Sequence, residues 1–460
     1  MSYANFLAAK AVTDTPTGLR TVPALSPNLY DFQRDIVSWA CRRGRSAIFA
    51  GTGLGKSFQE LSWANALNEA TGHRILIFTP LAVAAQMKRE ADKFGIDCAH
   101  VSCAEQSNAP ILITNYQKLD HFDLGQFGGV VLDESSILKN ESGHYRTRLI
   151  NECRRVPYRL AATATPSPND FMELGNHAEF CGIMSYTDML STFFVHDGAE
   201  TQAWRLKGHA EDKFWQWMAS WAVMLKSPED LGYDGSKYVL PKLHQIQHTV
   251  GVEYMPNIDT GLLFPLEAQS LGERLKARRA TIDDRCAKAA EIVAEKANEH
   301  WVIWCHLNDE SALLAQKIPG AVELRGSQSE EEKERILEDF ALGNIQKLIT
   351  KPSLAGFGMN WQHCANTVFV GMNDSFEQIY QAIRRFWRFG QTNEVYAHFI
   401  ASEIEGAVVA NIKRKEQQCE HMMRQMVKHM ADLCADEIRG AHRDTQTYIP
   451  TQNLELPSWI

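Results

Sequence analysis

Ala50-Gly51-Thr52-Gly53-Leu54-Gly55-Lys56-Ser57 follows directly on the apolar run 46–49. This spacing constrains the fold more than any other stretch of the chain. Small residues let successive backbone N–H groups converge on one anion, and a helix opening near Gly55 aims its positive end at the same point. Such a loop needs a strand before it and a helix after it, so the surrounding unit is α/β. Gly51, Thr52, Gly53, Leu54 and Gly55 are expected to line a phosphate site. Lys56 then reaches the outer phosphates, and the Ser57 hydroxyl is a ligand for Mg²⁺. Ala50 stands where the pattern usually has Gly, a position whose requirement is to be small.

At 460 residues the chain exceeds what one core usually supports, so two or three domains are expected. The formal net charge of −9 argues against a polybasic surface that grips nucleic acid everywhere, while leaving room for a local basic groove. Ten cysteines occur without a Cys-x-x-Cys pair, so neither a disulfide framework nor a structural zinc is expected. Cys305-His306 and His363-Cys364 are the nearest approach to a metal pattern, and they read better as strand-edge residues with inward thiols. No leader pattern and no apolar stretch of about 18 residues is present. A cytoplasmic protein that does not enter membranes is the expectation.

Residues 29–167 alternate strand-like runs (46–50, 75–80, 111–115, 129–133, 158–163) with helical segments, the signature of a parallel sheet covered on both faces. Residues 284–402 repeat the pattern without a second phosphate loop. The expected architecture is therefore two α/β lobes in tandem. Between them, 168–283 reads as a helical insertion and linker; 1–28 is an N-terminal extension, 403–440 a long helix, and 441–460 a mobile tail.

The run Val130-Val131-Leu132 ends in Asp133-Glu134. At a strand tip beside a phosphate loop, Asp133 can hold the Mg²⁺ that Ser57 touches, and Glu134 can polarise an attacking water. Far along the chain, Gln381-Ala382-Ile383-Arg384-Arg385-Phe386-Trp387-Arg388-Phe389-Gly390-Gln391 sets Arg385 and Arg388 three apart on one helix face. Both can point into one cleft and neutralise charge on a transferred phosphoryl group.

With these residues in place, the ordered set resembles superfamily 2 helicase-type ATPases, and among them the Swi/Snf type of DNA translocase. Leu29-Tyr30-Asp31-Phe32-Gln33 resembles the adenine-reading glutamine motif, and Gly53-Leu54-Gly55-Lys56-Ser57 motif I. Phe78-Thr79-Pro80 resembles motif Ia, Ile113-Thr114-Asn115-Tyr116 a DNA-backbone motif, Asp133-Glu134-Ser135-Ser136 motif II, and Thr163-Ala164-Thr165-Pro166 motif III. In the second lobe, Leu324-Arg325-Gly326-Ser327 resembles the segment before motif V, 353–360 motif V, and 381–391 motif VI. The resemblance implies two RecA-like lobes that bind ATP and Mg²⁺ in the cleft between them. It assigns Gln33 and Gly358 to the nucleotide, Thr163, Thr165 and Gln381 to coupling, and Thr79, Pro80, Asn115, Tyr116, Ser353 and Asn360 to DNA contact. Ser135-Ser136 departs from the family's usual Ala or Gly followed by His.

The expected activity is ATP-driven translocation on, or remodelling of, double-stranded or branched DNA. A strand-separating DNA or RNA helicase is the rival enzyme reading, and a slowly hydrolysing, nucleotide-switched DNA adaptor the rival of another class. The stripe Phe214, Trp217, Trp221 and Met224 is expected to be core. The stripe Met422, Met426, Met430 and Leu433 is expected to fold back on the lobes, as brace helices of the family do, and with the tail it is the candidate docking surface for a protein partner.

Overall fold

The computed structural model describes residues 16–139, 143–167, 170–196, 204–251, 279–355, 360–371, 376–402 and 406–438. The strands of the first half are β1 (Arg45–Ala50), β2 (Ile75–Thr79), β3 (Cys98–His100), β4 (Ile111–Asn115), β5 (Gly129–Asp133), β6 (Tyr158–Thr163), β7 (Phe194–His196), β8 (Trp204–Leu206) and β9 (Ala222–Leu225). Those of the second are β10 (Leu243–Val250), β11 (Trp301–Trp304), β12 (Ala321–Glu323), β13 (Lys347–Thr350), β14 (Asn366–Val370) and β15 (Val395–Ser402).

One sheet runs β3-β4-β2-β5-β6-β1-β9 and a second β10-β15-β14-β11-β13-β12, with every pairing in both parallel. These are tandem RecA-like lobes. Strands β2, β4 and β5 are buried along their whole length, which is why they read as unbroken apolar runs. Strand β1, which leads into the glycine-rich loop 50–57, and the acidic strand β5 are separated by β6 alone, so their carboxyl ends open onto one crevice.

The expected insertion over 168–283 requires correction. Helix Glu211–Trp221 runs straight into β9, which pairs with β1 from Ala47↔Ala222 to Ala50↔Leu225 and closes the first sheet. Strand β10 pairs with β15 at the edge of the second sheet. Strands β9 and β10 of this segment are thus shared between the two sheets. Phe214, Trp221 and Met224 are core, and Trp217 packs against it.

The long C-terminal helix, Gly406–Ile438, lies on helix Glu211–Trp221 and β9. Met423, Met426, Met430 and Ile438 are buried, Cys434 Sγ lies 3.6 Å from the Ala222 carbonyl, and His429 stacks on Trp215 at 5.6 Å. The Met stripe proposed as a docking surface is therefore occupied by the first lobe, with Leu433 half-buried beside it. The Met422 side chain and the tail lie outside the described residues. Among the described residues no helix is long and apolar enough to cross a membrane.

Candidate nucleotide site between the lobes

The loop after β1 turns through Gly53 (φ 87°) and Gly55 (φ 75°) before helix Lys56–Thr71 begins. Both angles lie in the left-handed region that suits glycine. A Cβ on Gly53 would stand 2.7 Å from the backbone nitrogen of Phe389, so the second lobe rests directly on the loop. Lys56 Nζ donates to the Ala50 carbonyl at 3.0 Å, holding the ammonium across the mouth of the loop. Gln33 braces the loop from behind: its Nε2 donates to the Leu54 carbonyl at 2.9 Å, and its Oε1 accepts from the Tyr30 N–H at 3.0 Å.

At the end of β5, Asp133 is buried, and Glu134 is the one non-glycine among the described residues with positive φ, at 52°. A strained backbone at the tip of a strand aims a side chain where a regular turn would not. Glu134 Oε2 accepts from Thr163 Oγ1 at 3.2 Å, and Thr163 Oγ1 accepts from the Thr165 N–H at 3.1 Å. Thr165 Oγ1 in turn accepts from Gln381 Nε2 of the second lobe at 3.2 Å. Gln381 Oε1 and its main-chain carbonyl accept from Arg385 Nη2 and Nε, both at 2.9 Å. A continuous polar chain therefore joins the first-lobe carboxylate to the second-lobe guanidinium.

The charges are mutually placed. Burial lowers Lys56 from its ordinary value, and the carboxylates of Glu134, Asp133 and Glu60 pull it back. Burial pushes Asp133 up to about 7, reinforced by the Glu134 carboxylate and opposed by the Lys56 ammonium. Arg385 is drawn down to about 10 by burial, with Glu134 acting against the shift, so it stays cationic at neutral pH. Arg388 is likewise lowered by burial, and the Glu90 and Glu134 carboxylates oppose that.

The donor set fits a magnesium nucleotide. The backbone cradle and helix N-terminus suit phosphate, and the Ser57 hydroxyl and Asp133 carboxylate are the hard oxygens Mg²⁺ takes. The Thr52 hydroxyl and the Glu60 carboxylate are buried without hydrogen-bond partners, as polar groups awaiting a ligand would be.

Three expected DNA contacts are corrected. Tyr116 is buried, stacks on Phe78 at 5.8 Å, and donates its hydroxyl to the Asp133 carbonyl at 2.6 Å. It supports the acidic tip from inside. Thr79 and Asn115 are also buried, on adjacent strands of the same sheet. Pro80 and Asn360 are half-buried, Ser353 is exposed, and Gly358 lies outside the described residues. Cys305 Sγ and Cys364 Sγ sit 3.5 and 3.3 Å from the carbonyls of Thr350 and Asn366.

Sequence reasoning passed over His177. Its Nε2 lies 3.1 Å from Ser135 Oγ, and its ring meets Phe49 edge-on at 5.2 Å. A lone histidine in an apolar helix was the only signal. The Ser135 departure in motif II thus carries its own partner, supplied by helix Leu174–Cys181.

Residues 284–390, nearly all of the second lobe, match the helicase conserved C-terminal domain. A search of curated proteins finds no significant match. Among solved structures, the SWI2/SNF2 ATPase core of Sulfolobus solfataricus in complex with dsDNA aligns at 18% identity over 90% of this chain and 97% of that one, with a TM-score of 0.41. The matched domain makes the second lobe similar to the C-terminal domain of helicases.

Proposed function

We propose that the protein is an ATP-dependent motor that translocates on or remodels double-stranded DNA, hydrolysing ATP in the cleft between its lobes. The observation that carries this reading is the polar chain Glu134–Thr163–Thr165–Gln381–Arg385, because it ties the state of one lobe's acid to the position of the other's arginine.

The loop N–H groups and Lys56 hold the triphosphate, and Ser57 and Asp133 hold the cation. Bound Mg²⁺ supplies charge neutralisation at the phosphoryl oxygens. Glu134 orients the attacking water and accepts its proton. Arg385 and Arg388 reach across from the second lobe to neutralise the charge that develops on the phosphoryl group. Departure of the cleaved phosphate removes what the arginines hold, so the lobes part. Two lobe arrangements with different grips on a phosphate backbone, alternated by turnover, make a stepping motor. The glutamine–arginine–arginine–glycine–glutamine spacing at 381–391, particular to Swi/Snf-type enzymes, supports duplex DNA as the track. Backbone contacts of this kind carry little sequence preference.

ATP turnover measured with no nucleic acid, with single strands and with duplex tests this reading. Duplex should stimulate most, with a steep salt dependence, and a third strand should be displaced from a triplex while a fork stays largely paired. Equal stimulation by single strands with efficient fork unwinding would identify a helicase. Slow turnover under all three conditions would identify a nucleotide-switched adaptor.

A further inference from the structure

Glu60 stands one helical turn after Lys56 in helix Lys56–Thr71. It is completely buried, and neither carboxylate oxygen has a hydrogen-bond partner. Its helical neighbours Phe58, Leu61, Trp63 and Ala64 are apolar and buried, so an apolar side chain would suit this place better if packing were all it did. A buried, unanswered carboxylate beside a phosphate loop calls for a ligand.

The register of the sheet shows what Glu60 faces. A Cβ on Gly129 would meet Trp63 at 3.5 Å, so helix Lys56–Thr71 covers the face of β5 that holds Gly129, Val131 and Asp133. Asn115 of β4 stands opposite Thr79 of β2, and the pairing Phe78↔Leu132 brings Thr79 level with Asp133. Asn115, Thr79 and Asp133 therefore form a polar row along the carboxyl edge, on the side the helix covers. Asn115 Oδ1 also lacks a partner, whereas Thr79 Oγ1 donates to the Pro80 carbonyl. The charges felt by Glu60 are those of Asp133, Lys56, Glu134 and Glu90, and burial with the nearby Asp133 holds its carboxyl well above the usual range. Among the described residues no three acidic, histidine or cysteine side chains converge as direct ligands of one ion.

We propose that Glu60, with Asn115, is the outer polar layer of the divalent-cation site, accepting hydrogen bonds from water ligands of the ion that Ser57 and Asp133 hold. The inference rests on the reading of this site as one for a magnesium nucleotide. Mg²⁺ dehydrates reluctantly and keeps several waters, whose protons need acceptors. Outer partners of this kind orient a metal's ligands and tune its affinity. Glu60 is on this account a positioning residue that makes the site select the metal–nucleotide complex.

The test is Mn²⁺ binding to the full chain in the presence of ADP, followed by electron paramagnetic resonance, alongside ADP binding in EDTA by calorimetry. Glu60→Gln should weaken Mn²⁺ on the order of tenfold or more, while ADP in EDTA binds as before. Asn115→Ala should weaken Mn²⁺ by a smaller factor, and it carries the test if Glu60→Gln does not fold. Unchanged Mn²⁺ affinity in the folded variants overturns the outer layer and leaves the nucleotide site standing. A wild-type chain that binds no Mn²⁺·ADP, or whose binding survives Lys56→Ala, overturns the site reading itself and this inference with it.

Discussion

Gln381 Nε2 donates to Thr165 Oγ1 at 3.2 Å across the cleft, and the same amide's oxygen accepts from Arg385. One side chain thus touches the segment that holds Glu134 and the arginine that faces it. Because both ends are buried, the geometry is retained only while the lobes are closed. Gln381→Leu keeps the volume and removes both bonds. It should leave ATP affinity within a few-fold of wild type and lower DNA-stimulated turnover by on the order of 100-fold. Fluorescent-nucleotide binding and steady-state ATPase assays separate the two effects. A variant that hydrolyses normally would show that the chain of bonds plays no part in coupling.

Glu134 and the two arginines should each be needed for turnover, from opposite sides of the cleft. Glu134→Gln retains shape and removes the proton acceptor, so nucleotide binding should persist while turnover drops on the order of 10³-fold or more. Arg385→Ala and Arg388→Ala should cripple turnover to a similar extent, and Lys at either position should rescue poorly because it lacks the planar fork. Single-turnover hydrolysis with nucleotide in hand checks both. Normal rates in both arginine variants would leave the basic helix face a structural feature.

His177 links the site to pH. Burial holds its imidazole down to about 4, with bonds at Glu173 and Ser135 acting in the opposite direction. The native state keeps it neutral, whereas the unfolded chain protonates it below about 6.5. Above that pH this group contributes no pH dependence; between 6.5 and 4 the unfolded state binds a proton that the native state refuses. Stability should therefore fall with acidification by up to about 1.4 kcal/mol per pH unit from this group alone. Denaturant unfolding at pH 7.5 and 5 measures the slope, and His177→Gln should flatten it by up to one proton's worth. An unchanged slope would place the titration at the other histidines held near 4, His363 and His398.

How far the molecule was legible in its sequence depended on whether a signal was local. Strands β1, β2, β4, β5 and β6 stood out because parallel strands covered on both faces read as apolar runs. Strand β9 did not, since Val223, Met224 and Leu225 continue the apolar stripe of helix Glu211–Trp221 without a break. The three residues of β3 are too few to show alternation. The glycine-rich loop 50–57 and the acidic pair at the tip of β5 stand out in the sequence because each is contiguous. The roles of Tyr116, Glu60 and His177 do not, because each depends on which way a turn or helix faces a distant strand. Tyr116 looked like a surface contact until the turn after β4 placed its hydroxyl on Asp133.

Among the described residues, ion pairs Arg89–Glu338 at 2.7 Å and Lys118–Glu330 at 3.2 Å join the lobes at the surface. Both acids lie on helix Glu330–Ala341, whose first turn carries three glutamates. Both cations project from the first lobe onto this acidic helix, so on the proposed function the same side chains serve either the acidic helix or a phosphate. Such exposed pairs contribute only about 0–1 kcal/mol each to stability, which is small enough for DNA to displace them. Glu330→Gln with Glu338→Gln should therefore barely change unfolding, yet tighten duplex binding several-fold at low salt and progressively less as salt rises. Fluorescence anisotropy with a labelled duplex across a salt series measures this. Equal affinity of variant and wild type at low salt would show that Arg89 and Lys118 do not lie on the DNA path.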